Sequence, residues 1–101
     1  MSDTDLKPRG KVELKTERPR LHKVILVNDD YSPREFVVTV LKSVFHVTDD
    51  LAYKIMMTAH RRGVCVVAVY TKEIADTKAD EGTRLGQEAG HPLTFTTEPE
   101  E

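Results

Sequence analysis

Asn28, Asp29 and Asp30 follow one another at the end of an apolar run, and Met56, Ala59 and His60 lie within about one turn of each other further on. The first group offers an amide and carboxylates, the second an imidazole beside apolar side chains. Residues four apart on a helix share a face, so Met56 and His60 stand together with Ala59 close by. Val37, on a preceding helix, faces the core or the gap between helices. Brought together, these residues make a small apolar pocket with a polar rim, which is binding chemistry. Taken singly, each also has a purely structural reading. Asn28 and Asp29 suit a turn, His60 complements the negative end of a helix, and Met56 fills a core.

Catalytic chemistry finds little support. There is no Walker-type phosphate loop, GxGxxG, CxxC or HExxH. The run Asn28-Asp29-Asp30-Tyr31 lacks the glycine and distant glutamate of a calcium loop. His22, His46, His60 and His91 have no metal-ligand spacing. Cys65 lies in an apolar strand beside Val64 and Val66, where a buried, inert thiol is expected. A hydrolase built on His60, Asp29 and Cys65 would need a nucleophile motif and an oxyanion loop, and neither is recognisable. No enzyme activity, metal or cofactor is therefore expected.

The elements that must position these residues can be read in order. His22 to Val27 is β-branched and nearly continuously apolar, which predicts a central strand. Ser32 as N-cap, Pro33 at the first helical position and Glu35 predict a helix start, and Phe36, Val37, Val40, Leu41, Val44 and Phe45 recur with helical period. A second helix is expected from the Thr48 cap, with Asp49 and Asp50 in its first turn and Gly63 closing it. Val64 to Tyr70 is a second strand. A third helix, capped by Thr71, should run to about Ala89, weakened by Gly82 and Gly86 at roughly 1 kcal/mol each relative to alanine. Leu93 to Thr97 is the last strand. The order βααβαβ predicts one α+β domain, a three-stranded antiparallel sheet with helices on one face. Residues 1–20 are charged, broken by Pro8, Gly10 and Pro19, and poor in clustered apolar side chains, so they are expected to be a flexible tail. The core is placed at 21–97, and the acidic end at 98–101 is expected to be loose.

Composition narrows the partners. A chain of 101 residues argues for one domain and for a surface cleft rather than a deep, closed active site. A net charge of −2 does not suit a nucleic-acid binder. No apolar run approaches the roughly 20 residues that span a bilayer, and Met1 to Gly10 carries no signal-peptide apolar region. A single cysteine allows no internal disulfide, which is in keeping with a cytoplasmic location. A monomer is assumed.

Several blocks are together similar to one family. KVILVNDDYSPREFV (Lys23–Val37), MMTAH with Met56 and His60, VYTKEIADTK (Val69–Lys78) and HPL (His91–Leu93) occur in the order found in ClpS, the adaptor of the Clp AAA+ proteases in the N-degron pathway. The likeness runs from about His22 to Leu93. It implies an adaptor that holds proteins whose first residue is Leu, Phe, Tyr or Trp and delivers them to a Clp unfoldase, ClpA in many bacteria, coupled to a ClpP-type peptidase. By position, Asn28, Asp29 and His60 match the residues that hold the α-amino group. Asp30 and Ser32 match the pocket mouth, and Val37, Met56, Ala59 and Leu93 its walls. Tyr31, Glu73 and Lys78 match the surface that docks on the unfoldase N-domain, and residues 1–20 match a tail used in delivery.

The implied chemistry is coherent. A free α-amino group has a pKa near ~7.7–8.0 and is largely cationic at neutral pH. It needs acceptors, which an amide oxygen, a carboxylate and an unprotonated imidazole supply; acid should therefore weaken binding. The chain departs from the family pattern at Arg34, where methionine is frequent and helps exclude β-branched first residues; Arg34 is expected to alter that gate. Ser32 replaces a common threonine, Ala59 a larger aliphatic residue, and the glycines of the third helix are atypical. The same strand–helix order also resembles the C-terminal domain of the ribosomal stalk protein, an interaction module, and fold does not separate the two. A stalk domain needs no ammonium site, so Asn28, Asp29 and His60 discriminate.

Overall fold

The structure, a computed structural model, describes residues 19–100. Strand β1 (Leu21–Val27), helices α1 (Arg34–Phe45) and α2 (Asp49–Arg62), strand β2 (Val64–Thr71), helix α3 (Lys72–Glu88) and strand β3 (Thr94–Pro99) succeed one another along the chain. This is the α+β order expected. The expected tail lies almost wholly outside the described residues.

β1 is the central strand, antiparallel to β2 on one side and to β3 on the other. Its alternate side chains Val24 and Leu26 are buried toward the helices, as the period of two requires. The near-continuous apolar run of β2 resolves into the same alternation with one irregularity. Val24 pairs Ala68 while Ile25 pairs Val66, so Val67 is an extra residue. Such a bulge lets the neighbours Val67 and Ala68 both lie half-buried. α2 and α3 lie on the sheet and α1 packs on both helices. The opposite sheet face is open, with Val64 and Val66 about half exposed.

Helix ends obey local chemistry in part: Thr71 holds the N-cap position of α3 as expected, but its side chain makes no cap bond. Thr48 caps α2 by accepting the Leu51 N–H at 3.2 Å, as expected. Ser32 does not cap α1. Pro33 holds that position without a side-chain bond, because the Ser32 hydroxyl is committed to Asp29.

The weakness expected of α3 is explained by what its glycines touch. A Cβ on Gly82 would stand 2.6 Å from the Phe95 ring, and one on Gly86 2.8 Å from the Leu93 Cβ. The glycines let β3 and its approach segment lie directly on the helix. The lost helix propensity is thus offset by buried contact with Phe95 and Leu93.

The last strand is longer than expected. Within the segment 98–101, expected to be loose, β3 pairs with β1 through Pro99, Lys23 meets Glu98 at 3.3 Å, and the Glu100 N–H donates to the Leu21 carbonyl at 2.8 Å. Acidic composition understates the pull of the β1 backbone on its β3 side, which offers hydrogen-bond partners that side-chain charge does not cancel.

Candidate functional site

β1 ends at one rim of a cavity of about 210 Å³. The Asn28 N–H donates to the Gly63 carbonyl at 2.9 Å, and the Gly63 N–H donates to the Ala59 carbonyl at 2.7 Å. Asn28 is thereby fixed against the last turn of α2, the turn that carries His60. Gly63 has φ 94°, a backbone conformation that a side chain would strain. The approach of β1 to α2 therefore depends on a glycine there.

Asp29 organises the loop after β1. Its Oδ1 accepts the Tyr31 N–H at 2.8 Å and the Ser32 N–H at 2.6 Å, and its Oδ2 accepts the Ser32 hydroxyl at 2.9 Å. Burial by itself would raise its pKa. The bonds from Ser32 and Tyr31 outweigh that, helped by His91, and hold the carboxyl below the ordinary aspartate range. Asp29 is thus ionised at neutral pH, with one acceptor position of its carboxylate not used by the loop.

The cavity gathers Asn28, Asp29, Asp30, Ser32, Arg34, Val37, Met56, Ala59, His60 and Leu93, all of the residues expected at the α-amino site, mouth and walls. Val37 comes from α1, Met56 and Ala59 from α2, and Leu93 from the segment leading into β3; all are buried. Polar groups and buried apolar side chains thus line the same cavity. Leu26 and Val27 also line the cavity. Their strand pattern announces a core, but only the chain's turn at Asn28 reveals that they border a pocket as well.

Arg34 reaches across the mouth. Its Nη2 lies 3.3 Å from His60 Nε2. A guanidinium only donates, so in this contact Nε2 carries the lone pair. No residue pattern points to this pairing, because the partners are on different helices.

Tyr31, Glu73 and Lys78 lie outside the cavity. The Tyr31 side chain is 81% exposed, and Glu73 is exposed in the first turn of α3. Lys78 is half-buried, and its ammonium donates to the Val44 carbonyl at 2.8 Å, tying α3 to the end of α1. It therefore has a structural task whatever else it does. Cys65 is half-buried, and burial pushes its thiol up, so it stays protonated. Among the described residues no group of His, Cys, Asp and Glu is placed to hold a metal ion, and no helix is long and apolar enough to cross a membrane.

Comparison with known proteins matches this architecture to one family. The family model described as ATP-dependent Clp protease adaptor protein ClpS matches residues 17–96. The chain is 63% identical to ATP-dependent Clp protease adapter protein ClpS 1 of Rhodopseudomonas palustris, over the whole of both chains. It is 62% identical to ClpS 2 of Mesorhizobium japonicum, again over the whole of both. A solved structure of Agrobacterium tumefaciens ClpS2 bound to L-phenylalaninamide superposes with a TM-score of 0.81 at 61% identity, covering 82% of this chain and all of that one.

Proposed function

This chain belongs to the ClpS family of ATP-dependent Clp protease adaptors, and on that premise we propose that its cavity holds the free N-terminal residue of N-degron substrates. The protein is an adaptor, not an enzyme: it binds a substrate and passes it to the Clp machinery. The observation that carries the reading is the mixed lining of the cavity. It combines acceptors on Asn28, Asp29 and His60 with the buried apolar side chains of Val37, Met56, Ala59 and Leu93. L-Phenylalaninamide, the ligand of the Agrobacterium relative, has the matching parts: a free α-amino group, a large apolar side chain, and an amide where the chain would continue.

Each part contributes a recognisable energy. Burying a Leu or Phe side chain gives roughly 1.5–3 kcal/mol. A hydrogen bond to a charged group gives about 1.5–3 kcal/mol. Neither suffices alone, so affinity demands a free amine and a large first residue together. Leu, Phe, Tyr and Trp are the preferred first residues, with Arg34 at the mouth shifting their ranking. Tyr31, Glu73 and Lys78 are assigned to docking on the N-domain of a ClpA-like unfoldase that works with a ClpP-type peptidase. The adaptor acts as a monomer in the cytoplasm. The stalk-domain reading is not favoured, since such a module has no use for an ammonium site.

The test is fluorescence anisotropy with peptides beginning in Leu, Phe, Tyr, Trp, Ile or Ala, each with a free and an acetylated N-terminus. Acetylation removes the charge and leaves Asp29 without its partner, which should weaken binding on the order of a hundredfold. Equal affinity for acetylated and free peptides would reject the reading.

A further inference from the structure

The contact between Arg34 and His60 bears on the second residue of a substrate. Arg34 is the first residue of α1, exposed at the cavity mouth, with Nη2 3.3 Å from His60 Nε2. It takes part in none of the ion pairs formed among the described residues. Most of the acceptor capacity of Asp29 is committed to the bonds that build the loop. Arg34 is a fixed positive charge directed at His60 Nε2.

A substrate α-amino group seeks the same acceptor. Two cations cannot share one lone pair, so the guanidinium must swing outward as the ammonium enters, and the two positive charges repel at close range. With the first side chain in the pocket and the ammonium on its polar groups, the second residue leaves through the mouth, where the displaced guanidinium lies. A carboxylate there would meet Arg34 in a two-pronged ion pair and cancel the repulsion. A lysine or arginine there would add to it.

We propose that Arg34 makes this pocket select, among N-degrons with the same first residue, those whose second residue is acidic. The proposal rests on the N-terminal-residue reading of the cavity and adds a specificity that reading does not contain. Without Arg34, the mouth would hold Asp29 and Asp30 with no counter-charge from α1, and would disfavour an acidic neighbour. Removing Arg34 should therefore reverse the preference, not merely flatten it.

The experiment uses the full chain and peptides that begin Phe-Glu, Phe-Gln or Phe-Lys and are otherwise identical, all with a free amine. Anisotropy is read at low and high salt for the wild type and for Arg34→Met. The wild type should bind Phe-Glu at least ~5-fold more tightly than Phe-Lys at low salt, with the ratio shrinking as salt rises. In Arg34→Met the ratio should fall below one. A Glu-to-Lys ratio that is the same in both proteins overturns the proposal while leaving N-terminal binding intact. Failure of every free-amine peptide to bind overturns the proposal and the reading beneath it together.

Discussion

Asp29 builds the loop that, on the proposed reading, also receives the ligand. Three donors from Tyr31 and Ser32 converge on it, and its ionised form is favoured more in the folded chain than in the unfolded one. A carboxyl with a depressed pKa contributes stability that is complete above the ordinary aspartate range and fades as pH falls through its folded value. Asn in its place can still accept the backbone N–H groups but carries no charge. Asp29→Asn should therefore lower unfolding free energy by about 1 kcal/mol at pH 7, after allowance for solvent screening of a partly exposed group. Urea unfolding of both proteins should show the gap closing in strongly acid buffer. A gap of equal size at pH 7 and in acid would mean that the loop does not hold the carboxylate ionised. At neutral pH the same variant should also weaken free-amine peptides far more than acetylated ones, since only the former present a cation.

At the level of elements, the pocket depends on how closely α3 approaches the segment before β3. Leu93 is 1% exposed and forms part of the wall, and Gly86 lies against it. An alanine there would gain roughly 1 kcal/mol of helix propensity. Its Cβ would also fall 2.8 Å from the Leu93 Cβ and 3.3 Å from the carbonyls of His91 and Leu93. Relief requires the backbone to move, because those carbonyls cannot rotate away as a side chain can. Overpacking of this kind costs about 1–3 kcal/mol, so Gly86→Ala should lower the melting temperature despite its better helix former. It should also weaken binding of a Phe-initiated peptide about threefold or more, because on the proposed reading the shifted wall is the one the first side chain would touch. Unchanged affinity alongside lowered stability would separate the wall from the helix contact.

The elements themselves are legible in the sequence because their signals are local: a continuous β-branched apolar run in β1, period 3.6 in α1 and α2, Thr48 before α2, Gly63 after it. What escapes a sequence reading is tertiary. The role of Gly82 and Gly86 lies in Phe95 and Leu93, and the Arg34–His60 contact joins helices that no short motif relates. The cap of α1 falls one residue beyond its expected place because Asp29 outcompetes the helix for the Ser32 hydroxyl. The pairing of Glu98 and Glu100 is hidden because acidic side chains suggest a loose end, whereas the backbone groups of the central strand β1 that face β3 decide the matter.

For the whole molecule, one short loop carries both the proposed capture residues Asn28 and Asp29 and the exposed Tyr31. Tyr31 contributes its backbone N–H to Asp29 at 2.8 Å, while its side chain stands 81% exposed. The two halves of this residue therefore face different tasks. An aromatic ring so exposed gains nothing for the fold, and aromatic side chains are favoured anchors at protein interfaces. Replacing Tyr31 by alanine keeps the N–H and so keeps the Asp29 loop. Peptide affinity should stay within about twofold, since the pocket is untouched. Clp-dependent degradation of a Phe-initiated substrate should fall by about tenfold or more if the ring anchors the adaptor on the unfoldase. Measuring both in parallel separates capture from delivery. Loss of peptide binding would show that the ring supports the pocket, and full degradation activity would remove Tyr31 from the docking surface.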